Sequence, residues 1–387
     1  MTRRLLLDAL ALLGGIVVAS LAGELLLRAF WPQRSDVTLG MFEQDPAAGY
    51  RLRGDYRNEI RVPEYRTTIL TDAEGYRIVS REQEPRPGAA RLLAVGDSFT
   101  FGVGVNAEDA FPAALERRLD AQDAGAWEVR NGGVGGYGPL RTARALIERQ
   151  GAWRPDVVVY ALYVGNDLED SDPATFRTSP LVRDGRMVTR GTHPFMRLRF
   201  FLRTRSHLYA FLRQHFYGLY RATGLWERSQ YLDPMGLRTW PPHLTDVTWP
   251  AGQEAIASMR DWAAEHGTRF LVVVVPTRWQ IDDDAWSRYR REWHLPDSDF
   301  DRDHAQRDVL AVLSALQVPA LNLLPAYRRA QAAGIQTYYR MDPHWTAAGH
   351  ALCAQLLQLE LESRGWAGPN AGSSGAIARA AGAASAG

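Results

Sequence analysis

The chain of 387 residues has one cysteine, Cys353, so no intrachain disulfide can brace it. Cys353 sits in an apolar helical pattern and reads as a core residue, not a nucleophile. An excess of one charge is also missing. Lys and Arg total 45 against 44 Asp and Glu, and a net charge of +1 gives no global reason to expect a nucleic-acid partner. The glycine-rich stretch at 132–138 has neither the lysine of a phosphate-binding loop nor the fingerprint of a dinucleotide turn. The acids Asp297, Asp299, Asp301 and Asp303 are spaced like a calcium loop, but Arg302 stands where that loop needs glycine. No metal, cofactor or internal repeat is expected. The 46% apolar content is ordinary for a globular protein with a large core.

One long apolar run is present, at the amino terminus. Arg3 and Arg4 precede residues 5–30, whose uncharged centre, 9–23, is extended by Leu25, Leu26 and Leu27 towards the roughly 20 residues that cross a bilayer. Glu24 and Arg28 form an i, i+4 pair within it. A signal anchor is one reading; the alternative is a cleaved signal peptide, with Ser20-Leu21-Ala22 as a small-residue processing site. Either places the rest of the chain across the membrane, since positive charge ahead of the first span favours an inside amino terminus.

Beyond a connecting segment packed on the core, 31–89, strand-like and helix-like runs alternate. Residues 91–95, 127–129, 157–163, 270–275 and 320–324 read as strands. Residues 111–120, 140–150, 251–265 and 305–316 read as helices. The expected fold is α/β, with a parallel doubly wound sheet. A turn is expected at 71–77. Residues 171–250 interrupt the alternation, and within them 196–221 interleaves arginines with Phe and Leu like a basic amphipathic helix. The tail, 367–387, is rich in Gly, Ala and Ser and should be disordered.

The chemistry lies in segments far apart in sequence. Gly96-Asp97-Ser98-Phe99-Thr100 follows the first strand, where open α/β sheets place their sites. Asp342-Pro343-His344-Trp345 precedes the last amphipathic segment. A serine hydroxyl needs a base to take its proton and an acid to orient that base, and Ser98, His344 and Asp342 match those roles. Asn131-Gly132-Gly133-Val134-Gly135-Gly136 offers unobstructed backbone N–H groups, and Gly165-Asn166-Asp167 a carboxamide. Ser98 N–H, Gly136 N–H and the Asn166 side chain are the candidate oxyanion donors. Gly132 and Gly133 read as a plain turn, and Asp97 as a structural hydrogen-bonding residue. Among nine histidines only His344 combines a loop position with an acid. His350 falls in the last helical segment, where packing or a helix-terminal bond is expected. Of the tryptophans between Trp226 and Trp345, only Trp345 is placed at the site.

This ordered set resembles the SGNH, or GDSL-type, hydrolase family, named for a Ser, a Gly, an Asn and a His in four blocks. Here they are Ser98, Gly136, Asn166 and His344. The resemblance runs from about 67 to 362 and includes Phe101-Gly102-Val103-Gly104-Val105 and Thr346-Ala347-Ala348-Gly349-His350. It implies a flavodoxin-like three-layer α/β/α sandwich, which would occupy 90–366 beside the N-terminal transmembrane helix (1–30) and around the inserted helical segment (171–250) read above. It also implies ester hydrolysis or acyl transfer without metal or cofactor. One departure stands out. Many family esterases carry the acid three residues before the histidine, where this chain has Met341; its aspartate is two before. Asp-x-His-Trp is similar to proteins that O-acetylate exopolysaccharides such as alginate. The expectation is a serine esterase acting on acetyl esters of cell-envelope or exported glycans, working beside polysaccharide-modifying partners. The alternatives are a polysaccharide O-acetyltransferase and a non-catalytic envelope glycan-binding module.

Overall fold

The structure is a computed structural model that describes residues 2–31, 40–62, 64–82, 86–122, 125–149, 153–168, 170–171, 181–183, 186–188, 202, 206–215, 249–293, 301–340 and 342–367. Most of the insertion 171–250, Asp297 and Asp299, and the tail from 368 lie outside these residues; of the stretch 196–221, residue 202 and residues 206–215 are described. The chain divides into two units, Met1–Leu39 with Thr189–Leu232, and Gly40–Val188 with Asp233–Gly387.

In the smaller unit, α1 (Thr2–Phe30) carries a stretch, Leu10–Phe30, long and apolar enough to cross a membrane, with mean hydropathy 2.2. Its Glu24 carboxylate accepts from Ser206 Oγ (2.8 Å), His207 N (2.9 Å) and Leu208 N (2.8 Å), so it caps the start of a short helix, His207–His215, from the insertion. Trp31 meets Phe211 edge-on at 5.9 Å.

The larger unit begins with something the sequence did not announce. Inside the connecting segment are two antiparallel hairpins, β1 (Phe42–Asp45) with β2 (Gly49–Leu52), and β3 (Arg57–Arg61) with β4 (Arg66–Leu70). Met41, Phe42, Tyr50, Leu52, Tyr56 and Ile69 bury against Phe101, Val134 and Tyr137. The expected turn after β4 is there. Thr71 and Arg77 pair across it, while the Asp72 carboxylate accepts from Glu74 N and Tyr76 N.

Then comes the sheet. β5 (Ala90–Gly96) leads into α2 (Ser98–Phe101) and α3 (Phe111–Asp120), β6 (Trp127–Gly133) into α4 (Pro139–Arg149), and β7 (Val157–Tyr163) into the insertion. The insertion carries the small hairpin β8 (Leu181–Arg183) and β9 (Arg186–Val188), then α5, the helix His207–His215 described above. After α6 (Pro250–Glu265) come β10 (Arg269–Val275), α7 (Arg278–Ile281), α8 (Asp283–Trp293), α9 (His304–Ala315), β11 (Ala320–Asn322), α10 (Leu324–Ala332) and α11 (Ala347–Ser363). The last strand is shorter than the apolar run 320–324 suggests. Asn322 Oδ1 accepts from Leu324 N, which turns the chain into α10 at Leu324.

The five sheet strands lie parallel in the order β11-β10-β7-β5-β6. Numbered along the chain, that is 2-1-3-4-5, the flavodoxin-like arrangement, and its switch point falls between β5 and β7. Side chains alternate across the sheet with period two. Leu92, Ala94, Val157, Val159, Leu271 and Val273 face a core built with α3, α10 and α11, while Leu93, Val95, Val158, Tyr160, Val272 and Val274 face α4, α6 and α9. Three layers result. Each buried Val or Leu contributes roughly 1.5–3 kcal/mol, and β7, buried at all seven positions, is the centre of the unit.

Candidate active site

Ser98 is the first residue of α2, at the carboxyl end of β5 beside the switch point. Asp97 caps that short helix, its carboxylate accepting from Phe99 N at 2.8 Å. Two glycines let the backbone turn so sharply. Gly96 has φ +143°, and a Cβ there would lie 2.7 Å from Ala161 O; a Cβ on Gly133 would lie 2.1 Å from Phe101 N. Gly132 and Gly133 therefore do not form a turn: they end strand β6, and Gly133 is the floor on which α2 rests.

The Asp342–His344 segment ends a tight loop. Tyr339 N donates to His344 O, and Tyr338 and Trp345 bridge behind it. Across the unit His344 Nε2 meets Ser98 Oγ at 2.8 Å, and His344 Nδ1 meets Asp342 Oδ1 at 2.5 Å. A carboxylate at Nδ1 favours the tautomer that leaves Nε2 free to accept the serine proton. Burial raises the Asp342 carboxyl, but hydrogen bonds and charge from His344, with the Tyr65 hydroxyl, outweigh it and hold the group below its ordinary range. The acid is thus ionised at neutral pH. The His344 and Asp342 side chains are 19% and 25% exposed, so solvent and substrate can reach the site.

Of the candidate oxyanion donors, Ser98 N–H lies in the first turn of α2, where no intrahelical acceptor exists. Gly136 has φ +78° in the loop after β6, and Tyr50 Oη fixes that loop by donating to Gly135 O at 2.9 Å. Asn166 Nδ2 donates to Asp170 Oδ2 at 2.7 Å, which leaves one amide N–H for any developing charge. Three acids lie close by. Burial pushes Asp97 and Asp170 up to about 6, against the pull of Phe99 N and His344 on the first and of Asn166 and Arg141 on the second. Asp167 rises well above the carboxylate range through burial and these two neighbours, while accepting from Tyr160 Oη and Tyr163 N.

Trp345 is not a wall of the site. It is fully buried beneath it, edge-on to Phe99 at 4.9 Å, and Phe99 in turn lies 5.2 Å from the His344 ring. His350 makes the expected helix-terminal bond: Nδ1 accepts from Phe111 N, at the start of α3. Four residues escaped the sequence reading: Tyr50, Glu64, Tyr65 and Arg77. Tyr65 Oη donates to Asp342 Oδ2 at 3.0 Å, and Glu64 accepts from Arg340 N and Asp342 N, each at 2.8 Å. Arg77, buried, donates to Phe101 O, Gly102 O and Val105 O and lies 4.5 Å over the Phe101 ring. No periodicity marks these side chains. The one signal was the turn at 71–77, which placed Arg77 against the core.

Comparison with known proteins finds a family model over the C-terminal part of the chain. Residues 242–382 match the family model of the SGNH hydrolase-like domain of the acetyltransferase AlgX, a span that includes Asp342 and His344 and excludes Ser98. No curated protein matches the chain. Similar solved structures include an acetyl xylan esterase, AlAXEase (12% identity, 70% of this chain and 99% of that one, TM-score 0.40). Another is a catalytic mutant of the acetylxylan esterase Axe2 from Geobacillus stearothermophilus (14%, 72% and 96%, 0.39). A third is TesA (15%, 70% and 98%, 0.38). Over its last third the chain is thus similar to the SGNH hydrolase-like domain of the acetyltransferase AlgX.

Proposed function

We propose that the protein moves acyl groups, chiefly acetyl, on cell-envelope or exported polysaccharide through an acyl-enzyme on Ser98. The continuous relay from Ser98 Oγ through His344 to Asp342, at 2.8 and 2.5 Å, carries this reading. His344 Nε2 takes the Ser98 proton as Oγ attacks the ester carbonyl. The carbonyl oxygen becomes an oxyanion facing Ser98 N–H, Gly136 N–H and the free amide N–H of Asn166. Collapse breaks the bond to the leaving alcohol, which receives the proton from His344. The acceptor then enters, gives its proton to His344 and takes the acyl group, and Oγ recovers the proton.

The match to a domain of the acetyltransferase AlgX supports transfer to an acceptor other than water, which we take to be a polysaccharide hydroxyl. Hydrolysis is the second reading, favoured by the part-exposed His344 and Asp342, which water can reach. Glycans fit a location outside the cytoplasm: α1 serves as a single-pass anchor with Arg3 and Arg4 inside, and the catalytic unit faces the periplasm or exterior. The test uses the full chain in detergent with p-nitrophenyl acetate, with and without a de-acetylated polysaccharide. We expect p-nitrophenol release that falls about 10³-fold or more in Ser98→Ala and His344→Ala, with acetyl appearing on the glycan. Equal release in all three proteins would overturn the proposed relay, and a folded Ser98→Ala that keeps its glycan binding and cellular phenotype would favour a binding module.

A further inference from the structure

An acid two residues before its histidine creates a local problem. Asp342 Oδ1 receives both donors that its own loop provides, His344 N at 3.0 Å and His344 Nδ1 at 2.5 Å. Among the described residues none within the loop donates to Oδ2, and the N–H groups of Arg340 and Asp342 find their acceptors outside it. A carboxylate held through one oxygen can pivot about that contact, and the imidazole it orients would pivot with it.

All three open positions are filled from one place, the tip of the β3–β4 hairpin, some 280 residues earlier in the chain. Tyr65 Oη donates to Oδ2 at 3.0 Å. The neighbouring Glu64 spans the loop, Oε1 accepting from Arg340 N and Oε2 from Asp342 N, both at 2.8 Å. Tyr65 also packs on Tyr339 with ring centres 5.1 Å apart, and Tyr339 Oη reaches Gly104 O at 2.9 Å, beyond the end of the nucleophile helix. The tip thus ties the acid's loop to the segment that follows Ser98. Because the Tyr65 hydroxyl lies on the far side of the carboxylate from His344, it can act on the reaction only through Asp342.

We infer that Glu64 and Tyr65 are positioning residues for the acyl-transfer reaction, clamping the Asp342 carboxylate in the orientation that aims His344 at Ser98. This rests on the catalytic reading of Ser98, His344 and Asp342 given above. Two consequences follow from the clamp. Removing the Tyr65 hydroxyl leaves substrate contacts alone, so kcat falls while KM holds. It also leaves the carboxylate charge less shared, so the imidazolium is stabilised and the acidic limb of the rate profile moves to higher pH.

The experiment uses the full chain in detergent and compares Tyr65→Phe, Glu64→Gln and Ser98→Ala with the wild type. One assay is p-nitrophenyl acetate turnover from pH 5 to pH 9. The other is the rate of Ser98 labelling by a fluorophosphonate, which reads nucleophilicity whatever the natural acceptor. For Tyr65→Phe we expect kcat and labelling about tenfold lower, KM within about twofold, and the acidic limb raised by about half a pH unit. Glu64→Gln, which keeps one acceptor for the loop, should fall between Tyr65→Phe and wild type, and it carries the test if Tyr65→Phe does not fold. Wild-type rates and an unmoved limb in both variants, with Ser98→Ala inactive, would overturn the clamp while leaving the catalytic reading standing. A Ser98→Ala protein as active as wild type would overturn the catalytic reading itself.

Discussion

Two regions of the larger unit meet at the site and contribute in opposite ways. The parallel sheet supplies the proposed reagents: Ser98 after β5, the Gly136 loop after β6, and Asn166 after β7. The hairpins and the turn that follows them, residues 42–77, supply no candidate reagent but hold the pieces the sheet presents. Tyr50 holds the Gly135 carbonyl, Arg77 the end of α2, and Glu64 with Tyr65 the acid's loop. The sheet region gets its precision from repeated backbone ladders. The hairpin region gets it from a few long side chains, of which Arg77 satisfies buried carbonyls and the others partly or fully exposed loop groups.

The comparison breaks most sharply at the acid. Asp342→Asn keeps the size and one acceptor but removes the charge and invites the wrong imidazole tautomer, so turnover should fall about 10⁴-fold while the melting temperature stays close to wild type. Steady-state kinetics beside a thermal melt would check this. A small loss would mean that the hairpin clamp, rather than the Asp342 charge, orients His344.

Next in size is Arg77. Burial lowers its guanidinium to about 10, so it remains charged at neutral pH and satisfies carbonyls at Phe101, Gly102 and Val105. Arg77→Met would fill similar space but strand those acceptors, and unfolding free energy by urea titration should drop by about 3–5 kcal/mol. If the hairpin region were mere packing, the loss would be nearer that of a conservative core swap, under about 1.5 kcal/mol.

The two regions also differ in how much of them can be read from sequence. Residues 157–163 and 270–275 are apolar runs bounded by helical patterns, and a buried parallel strand is the structure such runs form; both are strands here. The four blocks put Ser98, Gly136, Asn166 and His344 on the page for the same reason, since each follows or precedes a recognisable element. Glu64 and Tyr65 follow no such rule. The alternation of β3 is weak, with no buried position among Arg57–Arg61, so nothing local marks a hairpin. Their proposed role depends on three groups of a loop about 280 residues away, Asp342 Oδ2, Arg340 N and Asp342 N. For Asn166 and Trp345 the place was legible, but their partners, Asp170 and the aromatic floor, were not.

The smallest expected effect separates the regions by pH. His350, on α11, is fully buried and accepts from Phe111 N at the start of α3, and burial lowers its imidazole to about 3, helped by Arg77 and His344. The folded state refuses a proton that the unfolded chain takes up near 6.5. The stability tied to neutral His350 is therefore complete above about pH 6.5 and is lost progressively as pH falls towards 3, by about 2 kcal/mol at pH 5. Asp97 and Asp170, raised to about 6, act in the opposite sense over part of this range, because the folded state takes up their protons first. Only a difference between proteins isolates the histidine. His350→Gln retains an acceptor for Phe111 N, so between pH 7 and pH 5 the wild type should lose about 2 kcal/mol more than the variant in urea titrations. Parallel losses would show that His350 takes up its proton in the folded state, and that the α3–α11 contact is looser than the hairpin contacts at the site.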